Sequence, residues 1–189
     1  MANVRMLYNM DAWDAATVTH SSEANTDLVA ENVLHDHIAK LWRTTGKASE
    51  WIVFNLGSAK KITCFSMFSF NLTSSATVTL QGNASDSWGS PSYSQALTIA
   101  TDADSNVIQR IVFFLDQTFQ YWRVTLADSG NSESFLDVGR IGIDPLSSIF
   151  RSAGWWGTYS KYLSDDDQKN AALVMSTALA RDILNIPML

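Results

Sequence analysis

Side chains able to do covalent or metal chemistry are few in this chain and poorly spaced for it. The histidines are His20, His35 and His37, and Cys64 is the only cysteine. His35-Asp36-His37 has the form of a partial metal site, because positions i and i+2 of an extended segment point the same way. A third ligand would have to come from elsewhere, and solvated loop residues explain the triplet with fewer assumptions. Asp165-Asp166-Asp167 suggests calcium, but calcium loops distribute their oxygens through a turn. Three adjacent aspartates fit the first turn of a helix, at the positive end of its dipole. No Gly-x-Ser-x-Gly elbow, phosphate-binding loop or His-Glu-x-x-His pair is present. No carboxylate spacing selects a pair for hydrolysis by two acids. The expectation is a non-enzyme with no catalytic residues, no metal and no cofactor. Cys64 lies in an apolar run and is expected to be a buried, inert thiol.

A second kind of chemistry, recognition of sugars, needs a planar aromatic to cover a pyranose face and Arg, Asn or carboxylates to bridge hydroxyl pairs. Those residue types collect if the chain is an antiparallel sandwich, because successive loops then alternate between its two ends. Counting from a strand at 51–56, loops 43–50, 71–75, 101–106 and 127–134 fall at one end, and 57–60, 83–92 and 116–119 at the other. The first end gathers Arg43, Lys47, Glu50, Asn71, Asp102, Asp104, Asp128, Asn131 and Glu133, with Trp42 at its root. The candidate ligand contacts are Trp42, Arg43, Asn71, Asn131 and Glu133. Each has a plainer reading: Trp42 and Trp51 as core, since large aromatics are mostly buried, and Arg43 as partner of a carboxylate closing the end. Trp88 and Tyr93, on the opposite loops, are candidates for a separate aromatic platform.

The elements that must hold these loops are strands. Residues 76–82 alternate, with Ala76, Val78 and Leu80 inward and Thr77, Thr79 and Gln81 outward, which marks a half-buried strand. Residues 121–126 do the same with Trp122, Val124 and Leu126 inward. The runs 61–70 and 107–115 carry apolar residues at both parities and are expected to be covered on both faces. Short strands are also expected near 3–8 and 15–20, with an irregular connection containing one helical turn between 29 and 41. Regular turns with no helices between strands indicate a sandwich rather than a parallel sheet.

One stretch orders all of this: Trp42-Arg43, a polar loop, Trp51-Ile-Val-Phe-Asn-Leu-Gly57, a turn, a long apolar strand, and Phe70-Asn-Leu72. It resembles the discoidin, or coagulation factor 5/8 type C, family of galactose-binding-like β-sandwich modules, over roughly residues 10–144. It is most similar to the versions carried by tailed-phage particle proteins, which have W-R-S/T, W-I-x-x-D-L-G and H-N-L; here Asn55 replaces the Asp and Phe70 the His. The resemblance implies an all-β, jelly-roll-like antiparallel sandwich at 1–145. It also implies a structural component of a phage particle, in the tail or baseplate, with host-surface carbohydrate as ligand. A capsid or neck decoration protein with no ligand, or a free lectin, is the alternative. Family members that bind sugars do so with loops at one end, often through Arg and Asn, which fits Arg43 and Asn71.

The composition agrees with a globular protein: 46% hydrophobic and only 17% charged. A net charge of −6 argues against a nucleic-acid groove or an anionic membrane as partner. No apolar run is long enough to span a bilayer. The N-terminus lacks a basic-then-apolar signal, so synthesis in the host cytoplasm and incorporation in a virion are expected. After Pro145 the character changes. Segment 146–189 holds Trp155, Trp156, Tyr159 and Tyr162. A C-terminal α-helix is expected to follow, capped by Ser164 and carrying Met175, Leu179 and Ile183 on its apolar face. These residues are the expected assembly contacts to other virion proteins or to copies of the chain itself.

Overall fold

A computed structural model describes residues 5–6, 11–35, 37–144 and 147–148. The strands, in chain order, are β1 (Arg5–Met6), β2 (Thr17–His20), β3 (Trp42–Arg43), β4 (Glu50–Phe70), β5 (Thr77–Asn83), β6 (Tyr93–Leu97), β7 (Arg110–Ala127), β8 (Asp137–Asp144) and β9 (Ser147–Ser148). Two compact units result, one spanning Leu7–Leu146 and the other joining Met1–Met6 to Ser147–Leu189. In the second unit the described part is the antiparallel pair β1–β9. The C-terminal helix and the assembly residues Trp155, Trp156, Tyr159, Tyr162, Met175, Leu179 and Ile183 lie outside the described residues.

The larger unit is an antiparallel β-sandwich whose two layers share strands. At 21 and 18 residues, β4 and β7 are several times the usual strand length of roughly 5–6 residues. Each is long because it serves both layers. Residues 50–55 of β4 pair with β2 and with residues 121–126 of β7, which pairs in turn with β5, and β5 with β6. Beyond Lys60, β4 pairs with residues 110–119 of β7 and with β8, and β8 with β3. At the fold the register jumps: Asn55 opposes Tyr121 and Lys60 opposes Phe119. The extra residues bulge around Gly57, whose φ of 73° is costly for any residue with a Cβ. Asn55 stabilises the bulge, its Oδ1 accepting from Gly57 N–H at 2.9 Å and from Gln120 Nε2 at 3.0 Å.

This corrects the expected turn at 57–60 and the expected loop at 116–119. The chain folds over there without leaving its ladder. That β4 doubles back is visible in its flanks. Lys47, before it, and Asn71, after it, both bond to the turn at 128–131.

The core lies between the layers. Ile52, Phe54 and Leu56 face Phe65, Met67 and Phe70, with Val78, Leu80, Trp122, Val124, Leu126, Leu136, Val138 and Ile141 around them. The alternation expected at 76–82 and 121–126 is observed: Val78, Leu80, Trp122, Val124 and Leu126 are buried. Cys64 is buried as well. In β7, however, Val112 and Phe114 are 45% and 52% exposed, so their face of the strand is less covered than the apolar run implied.

A short helix at Asp11–Asp14 and a 3-10 helix at Ala30–Leu34 complete the unit. Trp13 is buried, stacks 4.0 Å from Phe54 and donates its indole N–H to Ile141 O at 2.7 Å. At Gly139 the chain passes against the Ile38 carbonyl so closely that a Cβ would collide with it.

Candidate functional site

The short pairing of β3 with β8 sets up the site. Trp42 lies opposite Val138 and Arg43 opposite Asp137. Neighbouring residues of a strand face opposite ways, so Trp42 enters the core and Arg43 points out. Trp42 has no exposed surface, and its indole N–H is donated to Ser22 O at 2.9 Å. No ring face is left for a sugar, and the expectation that Trp42 touches ligand gives way to the core reading.

Arg43 grips Asp137 with a two-pronged contact, Nε to Oδ1 at 2.7 Å and an Nη to Oδ2 at 2.8 Å. Its guanidinium carbon lies 3.9 Å from the centre of the Phe135 ring. The hydrogen bonds to Asp137, then the charges of Asp137 and Glu133, hold its pKa above the ordinary arginine value against the effect of desolvation. Arg43 therefore stays cationic, and its side chain remains 33% exposed against 13% for Asp137.

Asn71 extends the ladder between β4 and β8 past its last pair. Its Oδ1 accepts from Asp137 N–H at 2.8 Å and its Nδ2 donates to Phe135 O at 3.3 Å. Asn131 is buried; its Nδ2 donates to Asn71 O at 2.9 Å and its Oδ1 accepts from Glu133 N–H at 3.0 Å. Lys47 reaches across to donate to Asn131 O at 2.5 Å.

Beneath them Asp128, 1% exposed, accepts from Thr73 N–H at 2.7 Å, Thr73 Oγ1 at 2.8 Å and Asn131 Nδ2 at 3.2 Å. One network thus joins loops 43–50, 71–75 and 127–137. Arg43, Asn71, Asn131 and Glu133 do come together at one end, but Asn71 and Asn131 spend their amides inside the protein. The groups left facing solvent are the outer edge of Arg43, the rim of Phe135, and Glu133 with its serine neighbours Ser132 and Ser134.

Phe135 and Asp137 were not anticipated. The signal for Asp137 was weak, because Gly139 and Gly142 interrupt the pattern of the segment that follows it. Two other carboxylates of this end, Glu50 and Asp102, are occupied. Glu50 is buried and accepts from the Ser21 and Ser22 hydroxyls, the latter at 2.7 Å. Asp102 closes its own turn, accepting from the backbone N–H groups of Asp104 at 2.9 Å and Asn106 at 2.8 Å. Among the described residues no three His, Cys, Asp or Glu side chains converge on a point where a metal could bind. His35 instead accepts from the His37 backbone N–H at 3.2 Å. No described helix is long and apolar enough to cross a membrane.

At the opposite end Trp88 and Tyr93 separate. Tyr93 turns toward the core, 6.4 Å from Phe119 and 6.0 Å from Trp122. Trp88 stays on the outer face, with the Arg123 guanidinium 4.7 Å from its ring centre.

No family model and no curated protein matches the chain. Solved structures do. Chitosan-binding module 1 of a chitosanase/glucanase from Paenibacillus sp. IK-5 aligns with a TM-score of 0.51 at 20% identity, covering 69% of this chain and 95% of the module. CpGH89CBM32-5 from Clostridium perfringens, solved with GalNAc-β-1,3-galactose, aligns with a TM-score of 0.53 at 10% identity over 72% of this chain and 99% of its own. A fucose-binding module of Streptococcus pneumoniae, SpX-3, gives 0.54 at 9% identity over 69% and 94%. These modules have the discoidin-like, galactose-binding-like β-sandwich fold, and this chain has that fold too.

Proposed function

We propose that the sandwich is a non-catalytic carbohydrate-binding module whose ligand sits on the loop end formed by 43–47, 71–75 and 131–137. The observation that carries this reading is the Arg43–Phe135 pair: a cation fixed by Asp137 over an aromatic ring, partly exposed, with Glu133 beside it. Fixed donors next to an aromatic edge suit sugar hydroxyls, because little side-chain freedom remains to be lost on binding. The module neighbours solved with sugars or named for them support the same choice. The sandwich fold hosts many uses, so the reading rests on the site rather than the architecture.

The chain's role is proposed to be that of a structural component of a phage particle, in the tail or baseplate, where such a module would meet host-surface glycan. This part rests on the Trp42-Arg43, Trp51–Gly57 and Phe70–Leu72 pattern. A ligand-free building block is the second reading, favoured by the internal satisfaction of Asn71, Asn131 and Asp128. A glycan array probed with the full chain, then with Glu133→Ala and Phe135→Leu, separates them. Retention of a glycan that either variant loses, at unchanged melting temperature, supports the module. An array on which nothing is retained leaves the building block.

A further inference from the structure

We infer a second ligand site, on the flank of the sandwich, in which Arg123 and Trp88 take a carboxylate-bearing sugar. Arg123 lies mid-strand in β7 on the outer face, in a row running Val53, Arg123, Gln81, Ser94 across four strands. Its Nε donates to Gln81 Oε1 at 2.7 Å, which fixes the plane of the guanidinium. The ring of Trp88 is fixed in turn, its indole N–H donated to Asp86 Oδ1 at 2.6 Å. The loop that carries it is tied to Asn83, whose Nδ2 donates to Ser87 O at 2.6 Å and whose Oδ1 accepts from Ser92 Oγ at 2.9 Å. Both groups are therefore held in place before any ligand arrives.

What remains open is the forked end of Arg123. Among the described residues its two terminal nitrogens have no hydrogen-bond partner, and no carboxylate lies within ion-pair reach. Part-buried Arg43 and buried Arg140 differ: Arg43 has Asp137 at 2.7 Å and Arg140 has Asp14 at 2.6 Å. Desolvation pulls the Arg123 pKa below the ordinary arginine value, only partly opposed by the charge of Asp86. A partly desolvated cation with no carboxylate in ion-pair reach gains from a ligand that brings one, and a guanidinium fork matches a carboxylate in two bonds. The guanidinium lies over the indole, 4.7 Å from its ring centre, and the part of the ring it leaves uncovered offers a plane for the C–H face of a pyranose. A uronate-type sugar combines both features. On a chain of net charge −6, a polyanion is not attracted without such a local site. This site is separate from the loop end. Gln81 and Arg123 each stand four residues along their strands from Thr77 and Ala127, where those loops begin, about 14 Å away.

The test is affinity electrophoresis of the full chain in gels containing polygalacturonate, alginate or hyaluronate, with methyl-esterified polygalacturonate as the uncharged control. Slowing is expected in at least one carboxylated gel and not in the ester. Arg123→Gln should weaken it by about tenfold or more through loss of a charge-assisted contact, and Trp88→Ala should weaken it through loss of the stacking plane. Arg123→Lys should fall between, keeping the charge without the fork. Trp88→Ala alters only a loop side chain and keeps the test decisive if an Arg123 variant folds poorly. No slowing in any of the three gels overturns the inference. Equal slowing in the ester does so too, as does Glu133→Ala abolishing the slowing while Trp88→Ala does not. That last outcome would put the acidic sugar at the loop end instead. Loss of neutral-glycan binding at the loop end leaves this result unaffected.

Discussion

Replacing Asp128 with alanine should separate the loops that build the candidate site. The carboxylate is buried and takes three donors: Thr73 N–H, Thr73 Oγ1 and Asn131 Nδ2. Two of these keep another partner after truncation, since Thr73 Oγ1 is 2.9 Å from Ser75 Oγ and Asn131 Nδ2 is 2.9 Å from Asn71 O. Thr73 N–H keeps none. A hydrogen bond to a charged group is worth about 1.5–3 kcal/mol, and an orphaned buried donor costs about 1–3 kcal/mol. Losing the buried charge itself returns some desolvation energy. The net expectation is a loss of about 3 kcal/mol. Asp128→Asn should lose about half as much, because its carbonyl oxygen can still take Thr73 N–H and Asn131 Nδ2, which share one oxygen of Asp128, while its amide replaces the oxygen that met Thr73 Oγ1. Urea unfolding followed by tryptophan fluorescence reads the stability, and amide exchange at Thr73 reads the loop. If Asp128→Ala stays within about 1 kcal/mol of the parent and Thr73 exchange is unchanged, the network does not hold the loops and the reasoning fails.

Trp42→Ala should cost about 3–5 kcal/mol, the range for deleting a large buried aromatic, as read by the shift of a thermal melt; a near-neutral result would return Trp42 to the surface. Gly139→Ala should destabilise by about 1–3 kcal/mol or more through overpacking, because the new Cβ meets the Ile38 carbonyl and lies 2.8 Å from Ser69 Cβ; an unchanged urea midpoint would deny that close approach. Asp102 should titrate below the ordinary carboxylate value of 3.8, lowered first by the backbone N–H of Asn106 and then by its side chain. A carboxyl whose pKa falls on folding stabilises above its unfolded value and loses that contribution as pH drops through the folded one. The 101–107 turn should thus loosen only in acid more extreme than pH 3.8, and a carbon-detected NMR titration of Asp102 with a midpoint at or above that value would contradict the turn geometry.

The fold was legible where one face of a strand is apolar and the other polar. Val78 and Leu80, and Trp122, Val124 and Leu126, alternate with polar residues, and a period of two has only one reading. It was less legible where the chain changes layer. Gly57 and the Asn55 turn look like a loop in sequence, yet the ladder runs through them, because a bulge and a hairpin use the same residue types. Strand β6, Tyr-Ser-Gln-Ala-Leu, and strand β8, broken by Gly139 and Gly142, carry too weak a pattern to stand out.

At the site, sequence order brought the right loops to one end, and Arg43, Asn71, Asn131 and Glu133 meet there. It did not show that Asn71 and Asn131 turn their amides inward, which depends on long-range partners such as Asp128 and Phe135. Nor did it separate Trp88 from Tyr93, five residues apart, whose opposite orientations follow from the start of β6 and its pairing with Gly82.

Carbohydrate binding at the loop end can be read by a nitrogen-15 NMR titration of the full chain with a glycan retained on the array. Saturable shifts are expected at 43–47, 71–75 and 131–137, lost in Glu133→Ala and Phe135→Leu, with the core residues Ile52, Phe54, Trp122, Val124 and Leu126 unmoved. Absence of shifts at the loop end, or shifts there that neither variant alters, would contradict it.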